Sequence, residues 1–220
     1  MESSKNLVKT EIKTSEKNKI ILENIVKMVT NRTGIFKPEN LEENIKSLHD
    51  QINENMEFNI KSDYDDTVIS IKFYYQKLTT IRKIVPIEEF LVKNKNNHKI
   101  IILNSFNLKV YKQFMEYPKI ELFFDHELMI NLIDNCLIPE HKVLTPDEVE
   151  EYKNTYIHPV STNNSEIKGM SRMFVTDPIA RYYNMIAGDI VKILRPSMTS
   201  GYSIFYRKVY HGTNLLFPTK

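Results

Sequence analysis

Residues 99–124 read KIIILNSFNLKVYKQFMEYPKIELFF. Lys99–Leu103 is a short unbroken aliphatic run, the pattern of a strand covered on both faces, where alternation is lost because neither side meets water. Leu108–Met115 then carries apolar residues at helical spacing, and Lys119–Phe124 returns to strand. Toward the N-terminus, Thr67–Tyr75 (TVISIKFYY) is β-branched and aromatic with partial alternation. Between the two strands, Pro86–Val92 sets proline at a helix start ahead of Glu88, Glu89 and an apolar stripe. Strand, helix, strand, helix, strand at this spacing predicts an α/β layer with crossover helices, so roughly the first 135 residues form one α/β domain.

Two helices are expected before that layer. Ile21, Leu22, Ile25, Val26, Met28 and Val29 recur at helical spacing up to Asn31–Gly34, where glycine can take the left-handed cap conformation. A second helix follows Pro38, with Leu41, Ile45, Leu48 and Ile52 on one stripe. Residues 1–17 mix Lys, Glu, Ser and Thr with too few aliphatics to bury a face, and are expected as a mobile tail ahead of a domain spanning 18–137.

Toward the C-terminus, Pro139 in IPEHKVL (138–144) marks a boundary, and a second domain over 138–209 follows. Thr145-Pro146-Asp147-Glu148 is a helix start with threonine as N-cap, proline at the first helical position and a glutamate placed to close a capping box, for a short helix to about Tyr152. Thr155–Gly169 reads as loop. Asp177-Pro178 repeats the cap-then-proline logic before Ile179–Tyr183, which Asn184 can end in left-handed conformation. Gly188-Asp189 turns into a strand at Ile190–Leu194, and after a turn over Pro196–Gly201 the alternating Ser203–Val209 should pair antiparallel with it. The expected fold is therefore an α/β N-terminal domain with a small α+β C-terminal domain of mixed sheet and short helices, and 210–220 as an extension.

At 220 residues, 41% hydrophobic and 26% charged, the chain is long enough for a real core. A net charge of +2 excludes a protein that wraps nucleic acid by bulk positive charge, so any DNA contact must be local. Residues 77–112 carry eight Lys or Arg against Glu88 and Glu89, and 168–209 carry seven against Asp177 and Asp189, whereas 140–166 carry two lysines against six carboxylates. The single Cys136 excludes an intrachain disulfide and a cysteine-rich zinc site, is expected to be a small buried apolar residue, and fits a reducing, intracellular protein. Neither a membrane-spanning run nor the apolar core of a signal peptide is present, and the Lys, Asn and Ile bias suggests an A+T-rich genome.

Motifs for catalysis are absent. The five glycines never space as GxGxxG or GxxxxGK, the six histidines show no HxxxH or HExxH, and no GxSxG elbow occurs, so no cofactor, metal or catalytic residue is expected. One enzymatic alternative is a free-standing DNA-binding protein or metal-dependent nuclease using Asp65, Asp66, Glu121 and Asp125 at strand ends. It lacks the lysine that such sites place two residues after the acid, since Glu121 is followed by Leu122 and Phe123.

The segments IPEHKVLTPDEVEEY (138–152), DPIARYY (177–183), GDIVKILRPSMTSG (188–201) and YRKV (206–209) together resemble the fifth subunit of the nuclear DNA-directed RNA polymerases. That subunit is shared by polymerases I, II and III, and its C-terminal part corresponds to the whole of its shorter archaeal counterpart. Lys99–Asn135 resembles the family's N-terminal jaw domain more weakly. The resemblance implies a non-catalytic polymerase subunit, with an assembly domain docked on the largest subunit and a jaw near downstream double-stranded DNA. It maps the family motif onto Pro139, Glu140, His141, Asp177, Pro178, Ala180, Arg181, Tyr182, Arg195, Pro196, Ser197, Thr199, Gly201, Tyr206 and Arg207, all but Ala180 as interface residues, against the alternatives of core packing for Tyr182 and Tyr206 and of pairing within the hairpin for Arg195 and Arg207. Asn184 stands where the family has glycine, Ala187 where it has a basic residue, Met198 for glutamate and Tyr202 for arginine, and LNSFNLK (103–109) replaces the jaw's Thr-Pro-Ser-Ala segment. Lys93, Lys95 and Lys99, in the most basic stretch of the first domain, are the DNA-proximal candidates, against the alternative of a solvated loop. Composition and the weaker N-terminal match suggest a large nucleocytoplasmic DNA virus, with the protein in the virion and host cytoplasm, or in the nucleus were the source cellular.

Overall fold

A computed structural model describes residues 12–34, 36, 40–51, 56–64, 67–76, 78, 81, 84–156 and 170–212. The chain divides into two compact units, the first ending at Ile130 and the second starting at Asn131.

The first unit begins with α1 (Thr14–Thr33) and α2 (Leu41–Gln51). α1 buries the predicted stripe from Ile21 to Val29 and ends where Gly34, at φ 61°, donates its N–H to the Thr30 carbonyl. It starts earlier than expected: Thr14–Lys17 is helical and not tail, because Lys17 reaches Asp125 at 2.6 Å and fixes the first turn. On α2, Leu48 is buried as predicted; Ile52 and the Leu41 side chain lie outside the described residues.

A four-stranded sheet follows in the order β1 (Glu57–Lys61), β2 (Val68–Tyr74), β3 (His98–Leu103), β4 (Ile120–Phe124). β1 runs antiparallel to β2, and β2, β3 and β4 are parallel. The crossovers are α3 (Val85–Lys93) and α4 (Leu108–Met115), the latter N-capped by Asn107 accepting from the Val110 N–H. Both crossovers step the same way along the sheet, so right-handed connection puts both helices on one face. Register assigns that face Ser70, Lys72 and Lys99. There Ser70 Oγ donates to Asn94 at the end of α3, and the Lys72 ammonium sits 5.4 Å from the Phe90 ring centre. The opposite face, with Phe58, Ile60, Ile71, Phe73 and Ile100, lies under α1, where Arg32 meets Glu121 and Tyr75 donates to Asn18.

The second unit is also built on four strands, β5 (Glu140–Val143), β6 (Ser171–Phe174), β7 (Ile190–Ser197) and β8 (Gly201–Tyr210), in the order β5-β7-β8-β6. β7 and β8 form the predicted antiparallel hairpin, longer at its tip by three residues on β7 and two on β8, with Pro196 kept in the ladder opposite Tyr202. β6 pairs parallel with the end of β8, which includes Tyr210, so that residue is strand and not extension. The break expected at Ile138 falls inside this unit, since Leu132 and Ile138 pack against its core of Met173, Ile179, Ala180, Met185, Val191, Ile193 and Val209. Cys136 corrects its expectation, being exposed in the connection ahead of β5.

Candidate subunit interface

Parity along the register divides the second sheet into two faces. One carries His141, Val143, Val191, Ile193, Val209 and Met173, and is covered by α6 (Pro178–Tyr182). Asp177 caps α6 as predicted, its Oδ1 accepting from the Ile179 N–H at 2.9 Å, with Pro178 at the first helical position. Asn184 ends it at φ 51°. The other face carries Tyr206, on which α5 (Pro146–Tyr156) lays Tyr152 and Tyr156, with ring centres 4.4 and 5.7 Å from Tyr206. α5 runs a turn beyond the expected Tyr152 because that tyrosine pair continues its contact with β8. Its start is the predicted capping box: Glu148 accepts from the Thr145 N–H at 3.0 Å, and Thr145 Oγ1 accepts from the Glu148 N–H at 3.4 Å. Lys142 adds a 2.5 Å ion pair to Glu148, and hydrogen bonds from Lys142 and Thr145 hold that carboxyl below the usual range.

The motif residues separate into those that build the unit and those that face outward. Tyr182 is 4% exposed and packs edge-on against Tyr183, and Ala180 is fully buried, so both contribute to the packing of this unit. Asp177 and Tyr206 are used within the unit, as cap and as stacking platform. Half-buried Pro139 takes the His141 Nδ1 on its carbonyl at 2.6 Å. Burial lowers the His141 pKa against the raising effect of that carbonyl and of Asp177, and Arg207 lowers it further. His141, Asp177 and Arg207, distant in sequence, are thus brought into one electrostatic neighbourhood. Glu140, Arg195, Pro196, Thr199 and Arg207 are exposed, while Arg181 is half-buried. Ser197 and Gly201 pair at the ends of β7 and β8 and flank the turn that holds Thr199, with Ser197 Oγ and Thr199 Oγ1 3.3 Å apart and Gly201 at φ 72°.

Sequence reasoning missed the apolar surface on this hairpin. Met198 is fully exposed, Tyr202 is 66% exposed, and the adjacent Ile204 and Phe205 are 49% and 48% exposed. Neighbours on a strand point to opposite faces, so both faces of the distal hairpin are open. Simple alternation would have sent one of the two inward; the signal was the length of the two strands past the last core residue, Ile193. Residues 190–212 moreover carry Lys192, Arg195, Arg207 and Lys208 and no carboxylate.

In the first unit, the three DNA-proximal candidates do not form one set. Lys93 projects from the end of α3 with its ammonium 3.7 Å from Glu57, and Lys95 is exposed. Lys99 is 1% exposed and donates to the carbonyls of Asn94, Lys95 and Asn97 at 3.1, 3.3 and 2.8 Å, so it locks the turn and cannot track a phosphate. Burial, with the nearby Lys119 charge, lowers its pKa. The carboxylates weighed for a nuclease are likewise engaged. Glu121 is held by Arg32 and by His98 Nε2 at 2.5 Å, and Asp125 by Lys17; Asp65 and Asp66 lie outside the described residues.

The described residues of the second unit thus form a sheet flanked by two short capped helices, with a basic, carboxylate-free hairpin exposing apolar side chains. Residues 130–209 match the family model described as "RNA polymerase Rpb5, C-terminal domain". DNA-directed RNA polymerase subunit 5 of Acanthamoeba polyphaga mimivirus is 32% identical over 218 residues, which is 95% of this chain and the whole of that protein. The Dictyostelium discoideum subunit rpabc1 of RNA polymerases I, II and III is 31% identical over 65% of this chain and 73% of its own length. Subunit Rpo5 of the archaeal polymerase of Methanothrix thermoacetophila is 40% identical over 34% of this chain and 88% of its length. The chain belongs to the subunit 5 family of DNA-directed RNA polymerases.

Proposed function

We propose that this chain is the subunit that docks on the largest subunit of a multisubunit RNA polymerase through its second unit, and that its first unit is a jaw lying against downstream duplex DNA. The distal β7–β8 hairpin carries the reading. Four large side chains stand open to solvent on an element with no internal reason to extend beyond its core, the arrangement of a surface completed by a partner. The cationic rim of Lys192, Arg195, Arg207 and Lys208 selects a partner segment with carboxylates around an apolar centre, since guanidinium forks bind carboxylates bidentately. Met198 and Tyr202, where the family carries charge, shift the tip toward apolar contact. On the jaw, Lys93 and Lys95 are the phosphate-tracking candidates, acting as mobile point charges that read no sequence. The site of action is that of the polymerase itself, in the virion and host cytoplasm for a viral enzyme.

The tagged full chain, recovered from cells making the cognate polymerase, should bring down the largest subunit in a one-to-one ratio and elute with it at the mass of the assembled enzyme. Elution of the chain alone, with the polymerase intact elsewhere, would refute the reading.

A further inference from the structure

The outer edge of β1 has no partner strand among the described residues. The Met56 carbonyl accepts from the Phe73 N–H at 2.9 Å and the Ser62 N–H donates to the Thr67 carbonyl at 3.0 Å. With Phe58 opposite Ile71 and Ile60 opposite Ile69, the hydrogen-bonded pairs of this antiparallel ladder fall on the even positions of β1. The N–H and C=O groups of Glu57, Asn59 and Lys61 therefore point away from β2, and no described strand lies beyond them. A cleft of about 470 Å³ follows this edge, lined by Phe36 and by Asn44, Ser47 and Leu48 together with the edge residues. In its lining, the Asn44 Nδ2 donor is buried without a hydrogen-bond partner among the described residues.

We propose that this edge takes an extended segment of another polypeptide as a fifth strand, antiparallel to β1, with a carboxylate opposite Lys61 and a cation opposite Glu57. Strand addition satisfies the six outward backbone groups, and an incoming carbonyl is the acceptor that Asn44 lacks. Lys61 has no ion pair among the described residues, whereas Glu57 is held from the sheet side by Lys72 at 2.5 Å and approached by Lys93. Ile60, from the other face, lines the cleft with Phe36 and Leu48, so the alternate residues of the incoming strand are apolar. The partner segment thus reads acidic, apolar, polar, apolar, basic.

β1 itself, Glu57-Phe58-Asn59-Ile60-Lys61, has that pattern, so an end-capped fluorescent peptide copying residues 56–62 is a usable probe. It should bind the full chain saturably, and exchanging its Glu and Lys should weaken binding roughly tenfold, as two cross-strand pairs turn repulsive. Asn59→Pro should abolish binding with the circular dichroism and melting temperature retained, because only an outward N–H is lost. Should that variant fail to fold, Lys61→Glu carries the same test, with an expected loss of roughly tenfold. No saturable binding at millimolar peptide, or binding indifferent to both variants, overturns the proposal. Sedimentation equilibrium showing a dimer of the full chain that Asn59→Pro dissolves would also overturn it, by making a second copy the occupant.

Discussion

Glu121→Gln tests how the first unit holds α1 on its sheet. The Arg32 guanidinium clasps both carboxylate oxygens, Nη1 to Oε1 at 2.7 Å and Nη2 to Oε2 at 3.0 Å, with side-chain exposures of only 8% and 10%. The glutamine keeps the shape and removes the charge, breaking a buried ion pair at a cost of about 3–5 kcal/mol. A domain of this size has about 5–15 kcal/mol in total, so the unit should remain folded on the apolar stripe of α1 but with much of its margin gone. With a urea m-value of about 1–3 kcal/mol/M, the unfolding midpoint should fall by roughly 1–5 M. The double change Arg32→Met with Glu121→Leu removes both buried charges and should recover most of the loss. The pH dependence has a definite sign. Burial opposes ionisation of Glu121, but the hydrogen bonds and charges of His98 and Arg32 outweigh it and leave its pKa below the usual carboxylate range. Its contribution is therefore complete above the unfolded value of about 4.3 and is lost as pH falls through the lower folded value, so the glutamine variant should show a flatter acid limb. A midpoint unchanged by Glu121→Gln, or a double variant as weak as the single one, would refute this account.

Asp177→Ala should lower stability of the second unit by about 0.5–2 kcal/mol through loss of the α6 cap, read as a lower melting temperature, with partner binding reduced no more than that loss explains. Tyr206→Ala removes the platform beneath Tyr152 and Tyr156, each aromatic pair being worth about 0.5–1.5 kcal/mol, and should make α5 the first site of limited proteolysis. In the assembled polymerase, Lys93→Ala with Lys95→Ala should make the dependence of log K on log salt shallower by about 0.9 for each phosphate no longer neutralised, whereas Lys99→Met should leave the slope unchanged and lower stability.

What could be read from the sequence follows the range of the forces involved. Asp177-Pro178, Thr145–Glu148, Gly34 and the run at 100–103 act on residues within a turn or on their own backbone, and those elements lie where expected. β1 and β6 escaped because five and four residues carry too little periodicity to stand out, and each owes its existence to pairing with a distant strand. Lys99 looked solvated because its neighbours are polar, yet the turn at Asn94–Asn97 gathers three carbonyls around its ammonium, an arrangement that composition does not encode. The same distinction divides the motif residues. Tyr182 and Asp177 build α6, whereas Arg195 and Arg207 are exposed; a one-dimensional pattern weights them alike.

Whether the β7–β8 hairpin joins this chain to the polymerase is decided by co-purifying the full chain, wild type or carrying Ile204→Asp and Phe205→Ser, with the largest subunit. Both side chains are already about half exposed, so the double variant should fold with an unchanged circular dichroism spectrum. One-to-one recovery is expected with the wild type and a loss of at least roughly tenfold with the variant, as removal of a central apolar anchor gives at interfaces. Undiminished recovery with the folded variant would contradict docking through the hairpin.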